Sequence, residues 1–289
     1  MEPIFDLQSH SRWSDGELPP AEVVAAAAAT GVELLALTDH DAVDGVDEAL
    51  SSGAEHGVRV VAAAELSALD GALDDLHLCA YLIDHRAPPF VAALHEFRED
   101  RNARGERMLA ALAECDFALD RDAIDARAAS GSSIGRPHLA RAVWDHPGNR
   151  DRLKAEGLAG PGAVLEGYLL PGAPAYRRRT IPTVAEAIDV IHDAGGLAVW
   201  AHPFWDLDEA AAVLDAIDRF AAMGLDGVEC FYVTHTEAQT RLANGHCEER
   251  GLLTTGSADF HGPEHHLFDS FRAFSTYDLT PRLGPIAEA

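Results

Sequence analysis

Seven short apolar runs that end in polar residues, separated by alanine-rich helical stretches, predict a parallel α/β barrel with a helical lobe inserted into it. The alternation itself is the βαβ pattern of a parallel sheet. Between the fourth and fifth runs the rhythm breaks for about a hundred residues, too many for a bare loop, which predicts the lobe. Imidazoles and carboxylates gather where the runs end, and a parallel barrel places its reactive groups at those strand exits.

The runs are residues 4–7, 33–37, 58–63, 76–82, 197–200, 227–232 and 252–255, and seven such strands suggest a barrel. Helices are expected at 20–30, 44–56, 184–194, 208–223 and 236–250. This divides the chain into a barrel of residues 1–85 and 180–289 and a lobe of residues 86–179. In the lobe we expect a long helix over 89–115, a turn-rich segment at 130–137 and an irregular Gly/Pro section at 157–174.

Composition narrows the partners. The 289 residues are 47% hydrophobic and 24% charged, the balance of a globular protein, with no apolar run long enough for a bilayer. The start, MEPIFDLQSH, lacks a basic and then apolar leader, so a cytoplasmic protein is expected. Cys79, Cys115, Cys230 and Cys247 are widely spaced without a CxxC pair and read as packing residues. A formal charge of −26 disfavours duplex nucleic acid, whose binding relies on Lys and Arg at phosphates. A small anion remains possible where metal ions or arginines reverse the local sign. Lys154 is the only lysine.

The strand exits carry Asp6-Leu7-Gln8-Ser9-His10-Ser11 and then Asp15, Thr38-Asp39-His40-Asp41, Glu65, His77, Ala201-His202-Pro203 and Ser257-Ala258-Asp259-Phe260-His261. Any one histidine reads most simply as a hydrogen-bonded core residue. Six strand ends together do not, because a core holding His10, Asp15, His40, Glu65, His77, His202, Asp259 and His261 would bury costly unpaired charge. Imidazole and carboxylate suit divalent metals. The other histidines, including His56, His85, His95, His146, His192, His246, His265 and His266, read as surface residues.

These motifs resemble the PHP family, the polymerase and histidinol phosphatase group of metal-dependent phosphoesterases. Its D-L-H-x-H-S-x-x-S-D-G string appears as residues 6–16 with Gln8 in place of a histidine, and TDHD at 38–41, Glu65, His77, AHP at 201–203 and SADFHG at 257–262 follow in order. The resemblance implies a distorted seven-stranded (β/α) barrel and a centre of two or three manganese, iron or zinc ions. One ion would take Gln8, His10, Glu65 and Asp259, a second Asp15, His40 and His261, and a third Glu65, His77 and His202, with Glu65 bridging. The carboxamide of Gln8 is a weaker donor than imidazole for zinc or iron, so its site should be the weakest.

Residues 134–141, Ile-Gly-Arg-Pro-His-Leu-Ala-Arg, and the turn Thr234-His235-Thr236 resemble the branch acting on nucleoside monophosphates and 3',5'-bisphosphates. That resemblance implies hydrolysis of a small phosphate monoester by a metal-bound hydroxide. Arg136 would clamp phosphate, and His138 or His235 would contact it or protonate the leaving oxygen. Arg177, Arg178 and Arg179 read as a solvated basic run, with Arg177 its candidate substrate contact. Rival readings are a histidinol-phosphate phosphatase, a 5' exonuclease on short RNA, a barrel that binds a nucleotide without hydrolysing it, and a metal-dependent amidohydrolase. The last usually needs a carboxylated lysine, and the lone Lys154 lies in the lobe.

Overall fold

The computed structural model describes residues 3–71, 73–129 and 134–288. They form two compact units, Met1–His95 with Ile181–Ala289, and Glu96–Thr180. The first unit runs β1 (Phe5–Asp6), α1 (Pro20–Ala29), β2 (Leu34–Leu37), α2 (Val46–His56), β3 (Arg59–Asp70) and β4 (Leu73–Tyr81). Helix α3 (Pro88–Glu114) leads into the second unit, which adds α4 (Asp122–Ala129), α5 (Arg136–Asp145), α6 (Arg150–Ala155) and α7 (Pro161–Val164). The chain returns through α8 (Val184–Asp193), β5 (Leu197–Trp200), α9 (Pro203–Asp206), α10 (Ala210–Ala222), β6 (Gly227–Tyr232), α11 (Glu237–Arg250) and β7 (Leu253–Ser257).

The sheet order is β1 to β7 in sequence. The Leu7 N–H donates to the Gly256 carbonyl at 3.2 Å, so the first strand meets the last and the sheet closes into a barrel. All four residues of β2 are buried, as a strand covered on both faces requires. Val23, Val24 and Ala27 of α1 and Ala49 of α2 pack with Leu35 and Leu37 against Phe260 and Phe271. Local signals set the helix ends. Thr183 with Glu186 and Thr236 with Gln239 form capping boxes, and Gly57 and Gly251 close α2 and α11 in the left-handed conformation.

The all-parallel expectation fails at one strand. β4 runs antiparallel to both β3 and β5, while the remaining neighbours are parallel. The cause is local: β3 continues past residue 63 to Asp70, and Gly71, at φ 58°, turns the chain straight into Leu73. A link that short cannot carry the crossover a parallel pair needs. Glu65 and His77 therefore lie inside a long hairpin rather than at strand exits, with Glu65 opposite Cys79 and Ser67 opposite His77.

In the second unit, Met108 and Leu112 of α3, Ile124 of α4, Leu139 and Val143 of α5 and Leu153 of α6 share one core. The barrel's boundary falls at residue 95 rather than 85, because α3 begins inside the first unit, where Phe90 and Leu94 are buried. Within the expected turn-rich segment, residues 130–133 lie outside the described ones, and α5 starts at Arg136. The run 177–179 is not simply solvated. Arg179 is buried, its Nε 3.3 Å from Asp100 and its Nη2 donating to the Phe97 carbonyl, while Arg104 and Arg107 donate to the carbonyls of Arg177 and Arg178. Helix α3 thus supplies the partners that strap this segment down. Among the described residues no helix is long and apolar enough to cross a membrane.

Candidate metal centre

Glu65 is the organising residue. It is fully buried on β3, and its two oxygens face different pairs of imidazoles. Oε1 lies 2.8 Å from His77 Nδ1 and 3.3 Å from His202 Nε2, and Oε2 lies 3.1 Å from His10 Nε2 and 3.3 Å from His40 Nδ1. His10 Nε2 is also 3.1 Å from Asp259 Oδ1. Asp15 sits 3.6 Å from His40 and 3.5 Å from His261. Eight of the nine expected ligands therefore converge, and three sets have donor atoms mutually close enough to share an ion: His10, Asp15 and His261; His10, His40 and Glu65; Glu65, His77 and His202. His10 belongs to two of these sets, whereas the family resemblance implies His40 as the partner of Asp15 and His261.

Backbone geometry at the exits is unusual. His202 and Asp259 adopt positive φ of 32° and 55°, conformations that side chains other than glycine's rarely take and that cluster at functional sites. Electrostatics fit a cation site. Burial pushes the Glu65 carboxyl up, but the charges of His40 and His77 and hydrogen bonds from His10 and His202 outweigh it and hold it well below the usual range. Asp259 is likewise opposed by burial yet lowered by His261 and His10 to about 2. Oδ1 of Asp15, Oε2 of Glu65 and Oδ1 of Asp259 are buried with no well-formed hydrogen bond, facing ring nitrogens of the same cluster. Buried acceptors are ordinarily satisfied. Ionised carboxylates and imidazole nitrogens aimed at common points therefore fit divalent cations.

Gln8 is the ninth expected ligand. It is fully buried just past β1, and neither its Oε1 nor its Nε2 makes a hydrogen bond. An amide in that state has one oxygen to offer an ion.

Around this set stands a second layer that sequence reasoning did not single out. Asp39 accepts the Ser11 N–H at 2.8 Å and the hydroxyls of Ser11 and Ser14 at 2.7 and 2.6 Å, fixing the loop that carries His10 and Asp15. Glu229 accepts the Ser257 hydroxyl at 2.6 Å and the His202 N–H at 2.9 Å, and burial pushes its carboxyl up to about 8. Asp6 accepts the N–H groups of Ala258 and Arg272, and burial raises it to about 7. Tyr232 donates its hydroxyl to Asp259 Oδ2 at 2.8 Å. A lone acid inside the apolar run GVECFY was the available signal for Glu229.

The two candidate acid–base histidines differ. His235 is buried, with Nδ1 3.2 Å from the Cys230 carbonyl, and burial lowers its pKa to about 4. Neutral, and donating through Nδ1, it presents Nε2 as an acceptor rather than a proton source. His138 Nδ1 accepts the Gly135 N–H at 3.0 Å and caps α5, which leaves Nε2 to carry the ring proton. Arg136 opens the same helix. Arg177 Nη1 donates to the carbonyls of Pro174 and Tyr176, and its Nη2 lies 3.7 Å from Glu114. His265, expected at the surface, is half-buried and lies 5.1 Å from the His261 ring.

Residues 6–121 match the PHP domain family model. The chain is similar to a 3',5'-nucleoside bisphosphate phosphatase from Chromobacterium violaceum, 33% identical over 98% of this chain and 94% of that protein. It is 30% identical to a 5'-3' exoribonuclease from Haemophilus influenzae, over 90% of each chain. A solved Chromobacterium violaceum structure, described as an amidohydrolase with bound sulfate and no metal, superposes with a TM-score of 0.77 at 30% identity, covering 92% of this chain and 90% of that one. The carboxylate-bridged histidine cluster, the seven-stranded barrel and this identity along nearly the whole chain place one conclusion on firm ground: the chain belongs to the PHP domain family and is a metal-dependent phosphoesterase.

Proposed function

We propose that the enzyme hydrolyses the phosphate monoester of a small nucleotide, a nucleoside 3',5'-bisphosphate or a nucleoside monophosphate. The observation that carries the chemistry is Glu65, with one oxygen toward His77 and His202 and the other toward His10 and His40. Divalent cations bound by such a set acidify a coordinated water and neutralise charge on the phosphoryl oxygens. The chain's own residues do the rest. Asp39, Glu229 and Tyr232 hold the ligands in register through the hydrogen bonds above, and Glu65 stands fully buried between the two pairs of imidazoles.

His138, whose Nε2 bears the ring proton, is the proposed hydrogen-bond donor to the leaving oxygen, and His235 the proposed acceptor toward a substrate hydroxyl. Arg136 and Arg177 are the proposed phosphate contacts, since a guanidinium fork suits phosphate. The nucleotide assignment is supported by the similarity to a nucleoside bisphosphate phosphatase. The similarity to an exoribonuclease favours a second reading, removal of nucleotides from the 5' end of short RNA.

Phosphate release is to be measured on adenosine 3',5'-bisphosphate, AMP, histidinol phosphate and a 5'-phosphorylated oligoribonucleotide. We expect kcat/KM to be highest on the bisphosphate or on AMP. A preference for histidinol phosphate or for the oligonucleotide would overturn the assignment. In the same assay Arg136→Ala is expected to lose much more kcat/KM on the bisphosphate than on a simple aryl phosphate.

A further inference from the structure

Trp205 is 56% exposed, more than any other large hydrophobic side chain among the described residues. It stands three residues after His202, on the short turn α9, and it is held there rather than loose. Its backbone N–H donates to the His202 carbonyl at 2.8 Å. The preceding Phe204 is buried and packs edge-on against His235 at 5.1 Å. The Trp205 ring lies 6.0 Å from that of Phe268. Phe268 in turn lies 5.3 Å from His261 and stacks on His265 at 5.1 Å with an interplanar angle of 18°. A chain of ring contacts, tilted by 31° between His261 and Phe268 and by 54° between Phe268 and Trp205, thus runs from one of the converging metal-site imidazoles out to solvent at Trp205.

A single exposed apolar residue needs no explanation. This one differs in belonging to a series of rings whose inner end is the reaction centre, on a unit otherwise dominated by carboxylates. We infer that Trp205 and Phe268 form a stacking platform for the nucleobase of the substrate. The inference rests on the nucleotide reading of the site and adds the residues that select for a base. The ring contacts lead from Trp205 to His261 at the metal centre, so the group they would carry is the remote part of the ester whose phosphate sits there. A flat, uncharged group suits an aromatic face on a unit of net negative charge. A nucleobase meets both conditions, and stacking on an aromatic face tolerates any base. Trp205 and Phe268 are therefore specificity residues, and they take no part in the chemical step.

The test compares kcat/KM for AMP with that for glycerol phosphate, a monoester without a ring, in the wild type and in Trp205→Ala, Trp205→Leu and Trp205→Phe. The AMP to glycerol phosphate ratio is expected to fall about tenfold in the Ala and Leu variants, within what base stacking supplies, and to return in the Phe variant. An unchanged ratio in Trp205→Ala, or full retention in Trp205→Leu, overturns the platform. A direct readout separates this from failure of the nucleotide reading. AMP is expected to quench the tryptophan emission of the metal-loaded wild type, and the quenching is expected to be lost in Trp205→Leu. If the wild type hydrolyses neither ester, the proposed function fails, and the quenching alone decides: its presence only with Trp205 supports the platform, and its absence overturns it.

Discussion

Asp39 shows how far the centre depends on residues that touch no ion. Its two oxygens receive three donors from Ser11 and Ser14, and those bonds position a loop on which His10 and Asp15 both ride. Asn in its place keeps one acceptor and turns an amide N–H toward a donor. Partners of this kind are typically worth 10- to 100-fold in metal affinity or activity, so Asp39→Asn is expected to weaken metal binding by roughly that factor in a titration. Unchanged affinity would mean that the loop holds itself. Gln8 is the second residue-scale case. Gln8→His is expected to tighten the last metal equivalent, and Gln8→Ala to cost less activity than His10→Ala. Three equally tight sites, unaltered in both Gln8 variants, would count against its bordering the weakest site. The eight converging side chains were legible because motif spacing marks them. The motifs also contain Asp6 and Asp39, but their roles, like that of Glu229, were not legible, since their work is done by hydrogen bonds to loops remote in sequence, as between Asp6 and Ala258.

Strands and helices were readable wherever periodicity and end signals agreed. All seven runs became strands, and β5 and β6 have the expected bounds. The direction of β4 was missed because an apolar run carries no arrow. The local signal was Asp70-Gly71, a turn-favouring dipeptide at the end of β3. Helix α8 permits a test of element stability. The Thr183 hydroxyl accepts the Glu186 N–H, and the Glu186 carboxylate accepts the Thr183 N–H at 2.8 Å. Thr183→Ala is expected to lower stability by about 1 kcal/mol in urea unfolding. The backbone N–H and hydroxyl of Thr183 lower the Glu186 pKa. Its contribution is therefore complete above the unfolded-state value and disappears as the pH falls through the lower folded-state value. The small stability gap between wild type and Glu186→Gln should close over that acidic range, and a gap that widened instead would reverse the sign.

At the scale of the whole molecule, charge is divided unevenly. Glu96–Thr180 contains 14 of the 22 lysines and arginines but only 13 of the 48 acidic residues, so it carries +1 while the barrel unit carries −27. A unit so negative repels itself, and cations at its buried carboxylates relieve that repulsion. Chelation is expected to lower the melting temperature, and manganese at 100 times its Kd to restore about 2.7 kcal/mol. The same field should prevent duplex DNA from binding at moderate salt, which a gel shift would show. The central claim is that a carboxylate-bridged histidine cluster holds the ions that make this chain a phosphoesterase. It is tested most directly by elemental analysis of wild type and Glu65→Gln, each assayed for phosphate release from the same preparation. More than one divalent ion per wild-type chain is expected, and in the variant a loss of metal together with activity while the circular dichroism remains that of a folded barrel. A folded Glu65→Gln protein with undiminished metal and turnover would contradict it.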